Sequence, residues 1–199
     1  MAPINVKLDD LNSDGHLDAV TADQSETAVS VFFGLGDGNF AERSSYRVGR
    51  SPKATALADF DGDGHVDILV ANSADTFVTI LTNQGNGTFN DARTDLRILY
   101  QPNDIFSSDL NNDGAMDIVT ANTVGSSVTT ILHQGDGTFG EPENYPVGTP
   151  PYSVISVDFN LDGNNDLVTG NETGNTVSIL LGRGNGRVDV PRIFPSGQG

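Results

Sequence analysis

The chain has 199 residues, 36% of them hydrophobic, with no cysteine, no tryptophan and a formal net charge of −17. That acidity argues against nucleic acid or an anionic membrane as partner, and the lack of cysteine removes a disulfide framework while leaving the redox compartment open. No apolar run is long enough to cross a bilayer and no N-terminal segment has signal character, so an exporting segment is expected outside this chain.

Read in order, the chain repeats itself. Pro3 is followed by the loop DLNSDGHLD (Asp10 to Asp18) and the glycine hairpin GLGDGNF (Gly34 to Phe40). Pro52 is followed by DFDGDGHVD (Asp59 to Asp67) and NQGNGTF (Asn83 to Phe89). Pro102 leads to DLNNDGAMD (Asp109 to Asp117) and HQGDGTF (His133 to Phe139), and Pro151 leads to DFNLDGNND (Asp158 to Asp166) and GRGNGRV (Gly182 to Val188). The first aspartates recur at 10, 59, 109 and 158, and three independent landmarks keep that one step, so the repeat is real.

Within a period the pattern is all strand. In the second repeat an alternating segment, Lys53 to Ala58, feeds the acidic loop. An apolar strand over Val66 to Ala71 and a polar turn at Asn72 to Asp75 come next. A third strand over Phe77 to Leu81 ends in the Gly85-Asn86-Gly87 hairpin signal, and Phe89 to Tyr100 carries the fourth strand. The third repeat matches with MDIVTA, SVTTIL and GDGTF. No stretch holds a helical period. Four short strands in about 50 residues predict a propeller blade. The fold class is therefore an all-β propeller built of four four-stranded blades, one repeat domain over 1–199, with blades at about 3–51, 52–101, 102–150 and 151–199.

The acidic loops carry the chemistry. The loop Asp59 to Asp67 sets carboxylates at positions 1, 3, 5 and 9, and four such charges in nine residues repel one another unless a cation sits among them. Hard oxygen donors alternating along a tight turn suit calcium, which takes six to eight oxygens. Gly64 at position 6 supplies the positive φ that turns the position 7 carbonyl of His65 inward. The four loops hold 13 of the 27 acidic residues, and four divalent ions would bring the net charge to −9.

The combination of DxDGDGxxD loops, an LVxAN strand and a GDGTF hairpin resembles FG-GAP/VCBS-type repeats, the blades of integrin α-subunit propellers and of many bacterial surface proteins and fungal lectins. The resemblance covers essentially the whole chain. It implies a calcium loop between the first two strands of each blade. Carried over residue by residue, it assigns Asp59, Asp61, Asp63, Asp67 and the His65 carbonyl in the second loop. In the first loop it assigns Asp10, Asn12, Asp14, Asp18 and the His16 carbonyl. The third would use Asp109, Asn111, Asp113, Asp117 and the Ala115 carbonyl, and the fourth Asp158, Asn160, Asp162, Asp166 and the Asn164 carbonyl. Asn replaces Asp at position 3 in three loops, which keeps an oxygen but removes a charge. Position 8 is apolar in three (Leu17, Val66, Met116) and Asn165 in the fourth, so the second loop ranks strongest and the fourth weakest.

Other readings fall away on the residues. An EF-hand needs Glu at position 12 and flanking helices, whereas position 12 is Thr21, Val70, Thr120 and Thr169, inside strands. The glycine hairpins lack GxGxxG spacing and a following helix, and the imidazoles of His16 and His65 are expected to face solvent, with His133 a hairpin residue. No GxSxG, HExxH, P-loop or cysteine nucleophile is present, and a closed oxygen cage is structural, so no enzyme activity is expected.

The expected function is a calcium-binding, non-catalytic module for protein or surface adhesion, extracellular or at a cell surface. Two alternatives are a lectin with sites between blades, which would want repeated aromatics such as Tyr46 and Tyr145, and a structural segment of a larger surface protein or enzyme. Leu99-Tyr100, beside a one-residue insertion, is the non-repeating cluster that suits a protein site. Four blades leave closure open between part of a seven-blade array, a four-blade ring and a homodimer completing eight blades.

Overall fold

The computed structural model describes residues 3–90 and 92–197, and among these every regular element is a strand. The first sheet is β1 (Pro3–Asp9), β2 (Asp18–Asp23), β3 (Ala28–Phe32) and β4 (Ser44–Arg47). The second is β5 (Pro52–Ala58), β6 (Asp67–Asn72), β7 (Phe77–Leu81) and β8 (Thr94–Arg97). The third is β9 (Asp104–Ser108), β10 (Asp117–Asn122), β11 (Ser127–Ile131) and β12 (Glu143–Pro146), and the fourth is β13 (Pro151–Val157), β14 (Asp166–Asn171), β15 (Thr176–Leu180) and β16 (Arg192–Pro195). Each sheet is an antiparallel meander in chain order, the form that short strands joined by tight turns adopt.

Three details of the strands follow from local chemistry. Pro3, Pro52 and Pro151 begin edge strands, where a missing N–H leaves no ladder bond unmade, and each is followed by a register shift. In the third sheet the strand starts later, two residues beyond Pro102. Within Phe89 to Tyr100, the stretch expected to carry the fourth strand, the chain makes a lone bridge, Asn83↔Phe89, and then the four-residue β8. The hairpin glycines that close the bridge take φ of 79° and 76° at Gly85 and Gly87, which bends the chain away before β8 forms.

The core lies between sheets rather than within one. Val20, Val29 and Val31 of the first blade pack on Ile68, Leu81 and Phe89 of the second. Leu69, Val78 and Ile80 of the second meet Ile105, Ile118 and Ile131 of the third. Val119, Ala121 and Val128 of the third meet Val154, Leu167 and Leu180 of the fourth. A sheet covered on both faces needs apolar residues on both, which is why β6 and β10 are buried at every position. The buried asparagines that end these strands, Asn72 and Asn122, donate to the Thr79 and Thr129 hydroxyls on the neighbouring strand, so the polar end of the LVxAN pattern is satisfied inside.

The first strands β1, β5, β9 and β13 pack each against the next along the inner side of the blades. Among the described residues β13 and β1 make no such packing, so the four blades form an open arc.

The second hairpin glycine of a blade sits against the blade before it. A Cβ on Gly87 would lie 2.5 Å from the Phe33 ring, whereas one on Gly137, at the same register with nearly the same φ, would make only ordinary contact with Asp61 at 3.6 Å and beyond. Gly137→Ala is expected to show the backbone cost of an alanine in the left-handed region, about 1–2 kcal/mol. Gly87→Ala should show that cost plus about 1–3 kcal/mol of overpacking. Urea unfolding of the two variants checks the difference; equal losses would mean the hairpin does not seal the blade junction.

Candidate metal loops

Each acidic loop joins the first and second strands of its blade. Pairing fixes its ends: Asp9 lies opposite Asp18, Ala58 opposite Asp67, Ser108 opposite Asp117 and Val157 opposite Asp166. The loop backbone is folded around its own carboxylates. In the first loop Asp10 accepts N–H bonds from Asp14 and Gly15 at 3.1 and 2.8 Å, and Asp14 accepts the His16 N–H at 2.8 Å. Asp109 and Asp158 repeat the first pattern. Asp59 takes the N–H groups of Gly62 and Gly64 instead, at 2.7 and 2.8 Å. The position 5 carboxylates of Asp63, Asp113 and Asp162 hold the N–H of His65, Ala115 and Asn164.

Position 6 is glycine at φ of 84–89° in all four loops, as the sequence predicts. Position 4 is also left-handed: Ser13, Asn112 and Leu161 all sit at φ 61°, and only the second loop has glycine there, Gly62. Sequence reading missed this second demand. Its signal was the presence of Gly62 and Asn112, the two residue types that tolerate this conformation best.

The loops divide by charge at position 3. Asn12, Asn111 and Asn160 each donate from Nδ2 to the position 5 carboxylate at 2.8–2.9 Å. Asp14 is accordingly held below the usual carboxylate range by the His16 N–H and Asn12, and Asp113 by the Ala115 N–H and Asn111. Asp162 is lowered by Asn160 and the Asn164 N–H. In the second loop position 3 is itself a carboxylate: Asp61 is raised by burial, which the Asp63 N–H offsets only in part, and by the charges of Asp63 and Asp59. Among the described residues, Asp59, Asp61 and Asp67 are the carboxylates whose oxygens lie within 4.8 Å of one another, the spacing a single cation can bridge.

The position 9 aspartates are placed differently from the rest. Asp18, Asp67, Asp117 and Asp166 are all completely buried. One oxygen of each accepts the position 2 N–H, from Leu11, Phe60, Leu110 or Phe159, at 2.8–3.0 Å. The other accepts the first N–H of the glycine hairpin, from Gly34, Asn83, His133 or Gly182, at 2.7–2.9 Å. The carboxylate is thus a staple between loop and hairpin as well as a potential metal ligand. Burial pushes Asp67 up to about 6 despite the Asn83 and Phe60 N–H bonds, with the charges of Asp61 and Asp63 adding to the rise. Asp117 is raised for the same first reason, burial.

His16 faces solvent and His133 closes a hairpin as expected, whereas His65 departs from the expectation. The His65 ring is half-buried over the hairpin, where a Cβ on Gly85 would touch it, while His16 lies exposed beside Gly36. His133 is buried and bridges blades, its Nε2 bonded to the Phe60 carbonyl at 3.1 Å and its Nδ1 accepting the Gly135 N–H at 2.9 Å. Asn83 does the same one blade earlier, donating to the Leu11 carbonyl at 2.7 Å.

The FG-GAP-like repeat model matches residues 10–70, 59–120 and 109–169. No curated protein matches the chain. Among solved structures, an Agrocybe aegerita lectin in work on recognition of non-reducing terminal N-acetylglucosamine is 22% identical at a TM-score of 0.61, covering 94% of this chain and 50% of that one. BBS1N in its complex with ARL6DN is 15% identical at a TM-score of 0.67, covering 98% and 57%. Hydrazine synthase of Kuenenia stuttgartiensis is 17% identical at 0.65, covering 97% and 49%. The chain therefore spans about half the length of these structures, and what it shares with them is the propeller fold, which serves a lectin and an enzyme alike.

The staple and the loop carboxylates separate by experiment. With chelator present, Asp67→Ala leaves two buried N–H groups unpaired and is expected to cost about 2–4 kcal/mol. Asp63→Ala, at an exposed position, should stay within about 0.5 kcal/mol under the same conditions. Urea unfolding with and without calcium checks both; a similar loss for the two in chelator would contradict the staple.

Proposed function

Because the chain belongs to the FG-GAP-like repeat family, we propose that it is a non-catalytic calcium-binding propeller module. Up to four structural ions would sit in its loops, and the blades would present loops and junctions to a protein or surface partner. The carrying observation is the second loop, where Asp59, Asp61 and Asp67 converge and where burial and like charge lift Asp61 and Asp67. A divalent cation relieves that repulsion directly, and oxygen donors without thiolate or imidazole favour calcium over softer metals. The Asn loops keep the oxygen count with one charge fewer, so weaker binding is assigned to them.

Calcium in this reading acts on stability. At a dissociation constant of about 10⁻⁴ M and roughly 1 mM calcium, each site contributes about 1.4 kcal/mol. Sites this weak fill outside cells and stay empty at cytosolic calcium, which favours an extracellular or surface setting. The interaction role is favoured over a lectin by what the aromatic residues do. The Tyr46 ring stands edge-on to Phe89 at 5.0 Å across a blade junction, and the Tyr145 hydroxyl donates to Glu143 at 2.6 Å, so both serve packing. Leu99 is 60% exposed beside Tyr100, whose ring lies over Gly125, and offers a non-repeating surface suited to a protein partner.

Isothermal titration and thermal unfolding test the proposal. Calcium is expected to bind with heat and to raise Tm by on the order of 10–20 °C if all four sites fill, with Asp61→Ala removing the tightest site. No heat and an unchanged Tm at millimolar calcium would overturn it.

A further inference from the structure

The blade end opposite the acidic loops carries a cationic cleft, and we propose that it receives a carboxylate side chain of a protein partner. The cleft gives the partner proposed above a chemistry; it rests on that partner being a protein, and not on calcium.

The cleft lies between the first and second blades and has a volume of about 450 Å³. The end of β4 supplies Arg47 to it, the β4–β5 linker Arg50, the β6–β7 turn Asp75 and the start of β7 Phe77, with Arg93 just ahead of β8. In an antiparallel meander this linker and this turn stand at the far end of the blade from the β5–β6 loop, Asp59 to Asp67. Arg50 is fixed in place. Its Nε and backbone N–H donate to the two Asp75 oxygens at 2.7 and 2.6 Å, and its Nη2 donates to the Ala74 carbonyl at 2.8 Å. The Asp75 carboxylate is therefore taken up by Arg50 and largely buried, while the Arg50 side chain stays 70% exposed. Arg93 pairs with Asp95 at 3.0 Å and lies over the Phe77 ring, 5.8 Å from its centre. Arg47 is exposed, and among the described residues it makes no ion pair. Three guanidinium groups against two carboxylates leave one positive charge over, on a chain whose net charge is −17. A guanidinium fork matches a carboxylate in shape as well as in charge.

The cleft belongs to this junction and not to the repeat. At the next junction Tyr100 and Gly125 stand at the registers of Arg50 and Asp75, and a ring over glycine replaces the ion pair. In the fourth blade the same registers hold Thr149 and Gly174. The one-residue insertion falls on the approach to Arg93: β8 begins five residues after Phe89, whereas β4 and β12 begin four after Phe40 and Phe139. Insertions in repeat proteins collect on one face, often the binding face. The surroundings select the kind of partner. On the same blade end, at the neighbouring junction, Leu99 and Val124 are 60% and 72% exposed. Aliphatic groups open to solvent near an uncompensated cation suit a peptide that carries an acidic residue among apolar ones. A polyanion is disfavoured, because the other carboxylates of this acidic chain repel the rest of it.

NMR titration of the whole chain tests the cleft, read at the N–H groups of Arg47, Arg50 and Arg93. The probes are acetyl-Leu-Glu-Leu-amide, its Gln counterpart and glucuronic acid. The Glu peptide is expected to shift these signals saturably with a Kd on the order of 1 mM, and the Gln peptide to bind about tenfold more weakly. Arg47→Ala, at an exposed position, should keep the wild-type spectrum elsewhere and cost the Glu peptide about tenfold. Leu99→Ser should weaken the Glu peptide and leave glucuronic acid unchanged. Equal binding of the Glu and Gln peptides, an unaltered affinity in Arg47→Ala, or no shift up to about 10 mM would overturn the cleft. Glucuronic acid binding more tightly than the Glu peptide, or no effect of Leu99→Ser, would overturn the protein partner. Calcium, added first and followed at the Gly64 amide, reports on the acidic loops separately, so failure of the cleft and failure of the metal reading are told apart.

Discussion

One buried carboxylate per blade, held by two backbone N–H groups, is the contact on which the rest of the structure depends. Asp18, Asp67, Asp117 and Asp166 each join the second residue of the acidic loop to the first residue of the glycine hairpin, sixteen positions further along. A carboxylate taken fully out of water is costly unless its lone pairs are used, and charge-assisted bonds from two N–H groups are among the strongest available. The staple places the hairpin, and the hairpin then makes the contact between blades. Asn83 and His133, the residues whose N–H groups are stapled, are the ones whose side chains reach the preceding blade. Loop, hairpin and blade junction thus share one anchor, and the anchor is also a member of the acidic loop.

That dual use explains the electrostatics. The N–H bonds lower the cost of ionising Asp67 but do not cancel it, because burial outweighs the two donors and the charges of Asp61 and Asp63 add to the rise. In the Asn-containing loops an amide ties positions 3 and 5 together, and the position 7 N–H and that amide draw the position 5 carboxylate down, while Asp117 at position 9 is still raised by burial. The second loop keeps the extra charge, and with it the strongest reason to take up a cation. Variation among the four loops is therefore a gradation of charge on one backbone frame.

Much of this was legible in the sequence. The period of the loops and hairpins predicts the blades, and β7 and β11 fall where the apolar runs place them. The fourth strand falls inside Phe89 to Tyr100 as expected, but its start at Thr94, after two left-handed glycines and a lone bridge, was not legible. The staple was not legible, since an aspartate in a DxDxDGxxD loop reads as a ligand and its second N–H partner is a topological neighbour, not a local one. His133 and Asn83 are chemically unlike, so their shared role appears only when the Phe60 and Leu11 carbonyls are seen across the junction. The covering of Leu11, Phe60 and Leu110, against the exposure of Phe159, likewise belongs to the arrangement of blades and to no single repeat.

Amide hydrogen exchange, followed residue by residue in chelator, tests the central role of the staple most directly. The N–H groups of Leu11, Phe60 and Leu110 and of Gly34, Asn83 and His133 should be among the slowest outside the strands, protected as strongly as β6 and β10, even with no calcium present. Exchange at these six sites as fast as at exposed loop amides, slowing only when calcium is added, would show that the metal and not the carboxylate holds the loop to the hairpin.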